Sequence, residues 1–287
     1  MSSRAARVHF DPHVDIDWDA PWQFEMFALP PTSVSLYGTR RWRKLTPEQQ
    51  RTLALHEAVS GWSTLAYLSA ILTGNELRRA AEEGLNSAAS RSALLEVARG
   101  SRATITFGRL VRATGLEPYK PPRGTETAAK LLAFLPLGSA SYASTLLVEE
   151  TFIRGIESVV EDPDIEPHVR QAVKIYRFES EERLSYARSE VAAAQSRSGR
   201  IERACNRVLL ALLANVILRL NLSPAVYRSV GFSPVRGLIA SRRVRRNRRI
   251  DTAAPVVEFL DSVNLLDGMI TSSLWTLTGV ASERKSS

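Results

Sequence analysis

The chain has 287 residues, with 38 Lys and Arg against 30 Asp and Glu, a formal charge of +8. This length allows one large domain with a sizeable core, and the modest basic excess gives no ground for nucleic acid as a partner. The single Cys205 excludes an internal disulfide and a cysteine-based metal cluster. No segment reads as a signal peptide or a membrane span, so a cytoplasmic protein with no membrane partner is expected. Ala, Leu, Arg, Ser and Val are abundant, and Gly and Pro are sparse outside short stretches, which favours an all-α protein.

Residues 1–45 mix Asp, Pro and aromatic side chains with little periodicity and read as an irregular wrap around a single helical domain, 46–287. Thr46-Pro47-Glu48-Gln49 is a helix start: a Thr cap, Pro at the first helical position, and a Gln that can reach back to the cap. That helix is predicted to run to residue 73, with Gly74 as its stop. A second covers 87–114 and ends at Gly115. A Pro-rich loop at 118–124 precedes a third pattern over 125–134. A fourth runs over 140–160, stopped by Glu161-Asp162-Pro163-Asp164. Glu166-Pro167 opens a fifth, over 168–194, and a sixth covers 200–220. Its apolar stretch 208–218 is too short for a membrane span, is interrupted by Asn215, and reads as a buried core helix. Ser223-Pro224 and Ser233-Pro234 read as caps of shorter helices. There is no internal repeat and no β-alternation, so long helices with short connections predict a bundle.

Periodicity assigns faces. In the fourth helix Glu149 shares the apolar stripe with Ile153, Ile156 and Val160, and Glu150 is assigned to the solvent face with Arg154, Glu157 and Glu161. In the fifth, Val169, Val173, Tyr176, Ser180, Arg183 and Ala187 form one inward stripe. An inward arginine needs a partner, because an unpaired buried charge is costly; Glu149 is the obvious one. His56-Glu57 reads as a helix-surface or supporting pair. The arginine-rich run at 242–249 lacks interleaved aromatics and reads as a solvated face, not as a site for nucleic acid or anionic lipid.

Several segments carry a family resemblance. They are Leu45-Thr46-Pro47-Glu48-Gln49 with His56-Glu57, the stretch 101–109, Val148-Glu149-Glu150, Pro167-His168-Val169-Arg170, Ile175-Tyr176 through Glu179 to Tyr186-Ala187-Arg188, and the stretch 224–231. Over residues 40–280 the chain resembles the ferritin-like di-iron oxygenases of the aminobenzoate N-oxygenase (AurF-type) family. The resemblance implies a ferritin-like helical bundle with extra C-terminal helices. In that family the bundle holds two irons and oxidises amines or other small molecules with O2.

Projected onto this chain, the family's first glutamate ligand falls on Ser69, its Glu-x-x-His pair on Gly100 and Ala103, and its next glutamate on Glu149. The histidine, glutamate and histidine of the fifth helix fall on Tyr176, Ser180 and Arg183. Only Glu149 is retained, and no Glu-x-x-His motif occurs anywhere. The resemblance therefore implies a scaffold whose metal-ligand set is replaced, with no cofactor expected and no conventional di-iron oxygenase activity. Trp62, Tyr67 and Phe107 either collapse into the vacated volume or leave a pocket lined by Ser69, Gly100, Ala103 and Ser180.

Tyr176 reads as an aromatic filler with a satisfied hydroxyl, or as a general acid. Arg183 reads as a guanidinium in the vacated metal space, or as an anchor for an acidic or carbonyl ligand. The leading expectation is a small-molecule biosynthetic protein binding an organic ligand in the bundle cavity. Any catalysis would be metal-independent, a cyclisation, isomerisation or dehydration using Glu149 and Tyr176 for proton transfer and Arg183 to polarise an oxygen. The alternative is a non-catalytic partner subunit of an active di-iron oxygenase; in either case a homodimer, or a heterodimer with a related protein, is expected. An oxygenase with an unusual metal site is the third reading.

Overall fold

The computed structural model describes residues 11–280 apart from 85, 121–125, 127–128, 130, 135–137 and 221. Seven α-helices are bounded among these residues: α1 Pro47–Glu82, α2 Ala88–Ala113, α3 Ser139–Ile156, α4 Pro167–Arg197, α5 Arg200–Leu220, α6 Pro234–Ser262 and α7 Met269–Thr278. No strand occurs among the described residues. The fold is an all-α, ferritin-like bundle.

The helix starts follow from their caps. Thr46 and Gln49 form a reciprocal capping box at 3.0 and 3.2 Å. Ser87, Glu166 and Ser233 accept from the backbone N–H groups of Ser90, Val169 and Arg236. Glu166 also holds His168 Nδ1 at 2.6 Å, and the histidine ring stacks on Trp22, so the start of α4 is locked to the N-terminal segment. Backbone bonds from Phe27 to Asp164 and Glu166 make the same attachment.

Gly74 does not stop α1, which continues to Glu82. A mid-helix glycine costs about 1 kcal/mol, and the next turn offsets it. Asn75 and Arg78 donate to the carbonyls of Leu132 and Ala133 at 2.9 and 3.1 Å, and Arg79 is buried against Tyr142 and Tyr186. Of the expected helix over 125–134, residues 125, 127, 128 and 130 lie outside the described residues; Glu126 and Ala129 are helical, and Leu131–Phe134 is a 3-10 helix. The helix capped by Ser233 is not short, spanning 29 residues and containing the whole basic run.

α1 packs along α2, and α3 packs along α4; α3 also meets α5 and α6, and α5 carries α7. α3 is thus enclosed on nearly every side. This corrects the assignment of Glu150 to solvent. It is 3 % exposed, its two oxygens accept from Arg188 Nη2 at 2.8 and 2.6 Å, and the Arg188 guanidinium lies over the Phe259 ring of α6. One helix of the pair set the sequence periodicity, but a second layer covers the other face. The run Arg200–Val230, which contains α5, is long and apolar enough to cross a membrane by length and composition alone. α5 buries Leu210, Leu213, Ala214, Ile217 and Leu218, while Leu212 is exposed and 38 % of the apolar window is buried; Asn215 pins α7 through the Leu274 carbonyl at 2.9 Å.

A 3-10 segment, Pro224–Val230, sets Tyr227 flat against Gly237 of α6. A β-carbon at Gly237 would stand 2.1 Å from the Tyr227 ring, so the close approach requires glycine there. The Tyr227 hydroxyl then reaches Ser241 on α6 and Ser35 in the N-terminal segment. This joins α6 to the N-terminal segment.

Candidate functional site

The inward stripe of α4 is buried as periodicity predicts, from Val169 through Tyr176 and Ser180 to Arg183 and Ala187. Arg183 sits between two carboxylates. Its Nη1 donates to Glu149 Oε1 at 2.6 Å, and its Nε lies 3.3 Å from Glu96 Oε2. The second Glu149 oxygen accepts from the Tyr176 hydroxyl, so both carboxylate oxygens are engaged. Burial works against the Arg183 charge, but Glu149, Tyr176 and Glu96 outweigh it and hold the guanidinium above its ordinary value. Burial, then the Glu149 charge, pushes the Tyr176 hydroxyl well up. Phe107 and Phe152 meet the Tyr176 ring edge-on at 5.1 and 5.8 Å.

The pairing continues outward. Arg99 bridges Glu96 to Glu182, Arg102 holds Glu179 at 2.9 Å, and Arg79 bonds the Tyr186 hydroxyl and Glu190. Glu76, 3.8 Å from Arg79, is pushed up to about 7 by burial. Arg79 of α1, Arg99 and Arg102 of α2 and Arg183 of α4 each face a glutamate, so the interior is polar and charge-paired.

Of the projected ligand positions, Ser69, Gly100, Glu149 and Arg183 border one small cavity, together with Thr73, Glu76 and Glu96. Its volume is about 30 Å³, room for one or two waters. Ala103 and Ser180 are buried but do not border it, and Tyr176 enters the cluster only through its hydroxyl. At Gly100 a β-carbon would lie 2.2 Å from Thr73 Oγ1. The threonine of α1 fills the place a longer side chain would take.

Two bridged irons need several free carboxylates and imidazoles facing one space. Here the retained carboxylate is held by a guanidinium and a phenol, and the described imidazoles lie elsewhere: His56 on Tyr119, His168 on Glu166, His13 on Arg109. Among the described residues no group of three His, Cys, Asp or Glu is placed to hold a metal ion. The residues present do not fit a di-iron centre.

A larger space, about 190 Å³, lies between the first half of α1, α3, α5 and α6. Trp62, Leu65, Leu68, Val148, Phe152 and Ile217 form its apolar wall, and Arg219, Arg245, Arg248 and Arg249 also border it. Glu57 is on the same wall, which decides against the surface alternative for the His56-Glu57 pair. The glutamate is 5 % exposed and accepts from the Ser35 N–H at 2.8 Å and the Ser35 hydroxyl at 2.5 Å. Burial pushes its carboxyl up to about 7, against the pull of the Ser35 bonds and of Arg248 and Arg245. The reading of 242–249 as a solvated face is also corrected for part of its length. Arg245, Arg248 and Arg249 are half-buried and turn toward this space, while Arg242, Arg243 and Arg246 are exposed. Spacings of three and four put the inward three on one helical face, a signal that treating the run as a block conceals.

The fold and the buried carboxylate-centred cluster define an all-α helical-bundle protein with a charge-paired interior. A family model described as P-aminobenzoate N-oxygenase AurF matches residues 1–264, and the chain belongs to that family. No match was found among curated proteins or solved structures.

Proposed function

We propose that this chain is a family member that works without a di-iron centre and binds a small organic molecule in the larger cavity. The observation that carries this is the Arg183 guanidinium lodged between Glu149 and Glu96, where the family's metal ligands project. A fixed cation there neutralises the remaining carboxylate and removes the vacancy a metal ion would need. The bonds among Glu149, Tyr176 and Arg183 support a structural role for the trio over acid–base catalysis, since each group already has its partner. An organic ligand does not fit 30 Å³, so the binding reading moves from the centre to the 190 Å³ space. The partner-subunit alternative draws on α7, where Met269, Ile270 and Leu277 are exposed apolar side chains.

Anaerobic incubation of the purified chain with excess Fe(II), followed by desalting and metal analysis, tests the first part. The expected result is well below one iron per chain. Two irons per chain, with O2 consumption on exposure to air, would contradict it.

A further inference from the structure

Four arginines converge on the larger cavity. Arg245, Arg248 and Arg249 come from one face of α6, and Arg219 comes from the last turn of α5. None makes an ion pair within 4.0 Å with a carboxylate among the described residues. Their fixed contacts are single bonds to backbone carbonyls: Arg248 to Thr32 at 3.2 Å, Arg249 to Thr278 at 2.9 Å, Arg219 to Leu277 at 3.5 Å. Each guanidinium has five N–H donors, so these bonds orient the forks and leave donors over. The Arg245 Nε is buried with no hydrogen-bond partner among the described residues. Such a group costs free energy unless something accepts from it.

Burial lowers Arg248 and Arg249 from their ordinary value, and Arg245 and Arg219 lower Arg249 further by like-charge repulsion. An anion in their midst relieves both effects. Glu57, the acid on the cavity wall, stays partly protonated near neutral pH and so opposes such an anion weakly. Away from the arginines the wall is mostly apolar and carries the hydroxyls of Ser33, Ser35, Thr64, Thr151 and Thr252. Its 190 Å³ compares with the roughly 150 Å³ apolar cavity that accepts benzene.

We infer that this cavity binds a phosphate monoester bearing a single ring or a short hydrocarbon chain, with the phosphate on Arg245, Arg248 and Arg249 and the apolar part against Trp62, Leu65 and Leu68. A dianionic head matches several guanidiniums better than a carboxylate does, and paired N–H forks suit phosphate oxygens. The inference rests on the reading that this cavity, not the bundle centre, is the ligand space.

Isothermal titration of the full chain with phenyl phosphate, inorganic phosphate, benzoate and toluene tests it. Phenyl phosphate is expected to bind at least tenfold more tightly than each of the other three. The Arg245→Gln and Arg248→Gln variants should each weaken it tenfold or more. Gly155 borders the cavity, and its β-position faces open space. Gly155→Leu adds an apolar side chain at that wall, and should abolish phenyl phosphate binding while leaving weak inorganic phosphate binding unchanged. Benzoate or inorganic phosphate binding as tightly as phenyl phosphate, or indifference to the arginine substitutions, overturns the assigned ligand class. Toluene binding without phenyl phosphate also overturns that class but leaves the cavity reading intact. Binding of none of the four overturns both.

Discussion

Replacing Arg183 by methionine is expected to lower the free energy of unfolding by about 3–5 kcal/mol, the range for breaking a buried ion pair by removing one partner. The substitution keeps much of the side chain's volume, so the loss is electrostatic. Glu149 is 2 % exposed and Glu96 is 7 % exposed, so neither carboxylate can recover its charge solvation from water. Glu96 retains Arg99, and Glu149 retains only the Tyr176 hydroxyl. The unpaired charge therefore falls mainly on Glu149. Adding Glu149→Gln to Arg183→Met is expected to restore a large part of the stability, because the amide needs no counter-charge. Urea unfolding of the wild type, the single variant and the double variant measures this. A single-variant loss below about 1 kcal/mol, the value typical of a surface pair, would show that the guanidinium does not neutralise the centre.

Stability should also fall with rising pH through the weakly acidic range, and Glu57 is the main reason. Its folded-state carboxyl sits at about 7, against an ordinary value of 4.5. The native state thus keeps a proton that the unfolded chain releases. By linkage, the stabilisation is complete below pH 4.5 and is lost as pH rises through 7. Glu76 is raised to about 7 as well and adds to the same slope. Glu57→Gln removes the Glu57 part. The variant is expected to match the wild type near pH 4.5 and to exceed it at pH 8 by about 2–3 kcal/mol, following the size of the shift. A residual slope from Glu76 should remain. Urea titrations at pH 5 and pH 8 check it; a wild-type-to-variant difference that is the same at both pH values would contradict the buried, proton-retaining carboxyl.

The helix frame was legible because local chemistry wrote it: Thr46 with Gln49, Ser87, Glu166 and Ser233 each open a helix in the structure. The α4 stripe was legible for the same reason, and it forced Arg183 inward and made Glu149 its natural partner. Glu96 was not found, although it stands one turn before Gly100 and so shares that position's face. Nothing in α2 alone says that a guanidinium from α4 reaches it. Glu150 was misassigned because one helix's periodicity cannot report that α6 covers the opposite side of α3. The Glu57 alternatives stayed open because its burial depends on Ser35, 22 residues away, and the inward arginines were hidden by treating the basic run as a block, although their spacing of three and four marks one face. The passage of α1 through Gly74 likewise depends on carbonyls at Leu132 and Ala133. Apart from the arginine spacing, the missing information was tertiary.

The proposed function depends on the Arg183 guanidinium lying on Glu149 and Glu96, where the family's metal ligands are projected. Crystals soaked anaerobically in Fe(II), with diffraction recorded on both sides of the iron absorption edge, examine that place directly. The predicted result is planar guanidinium density on Glu149 with no anomalous peak among Ser69, Gly100 and Glu149. Two anomalous peaks about 3.5–4 Å apart, the spacing of a two-metal site, with Arg183 displaced, would contradict it.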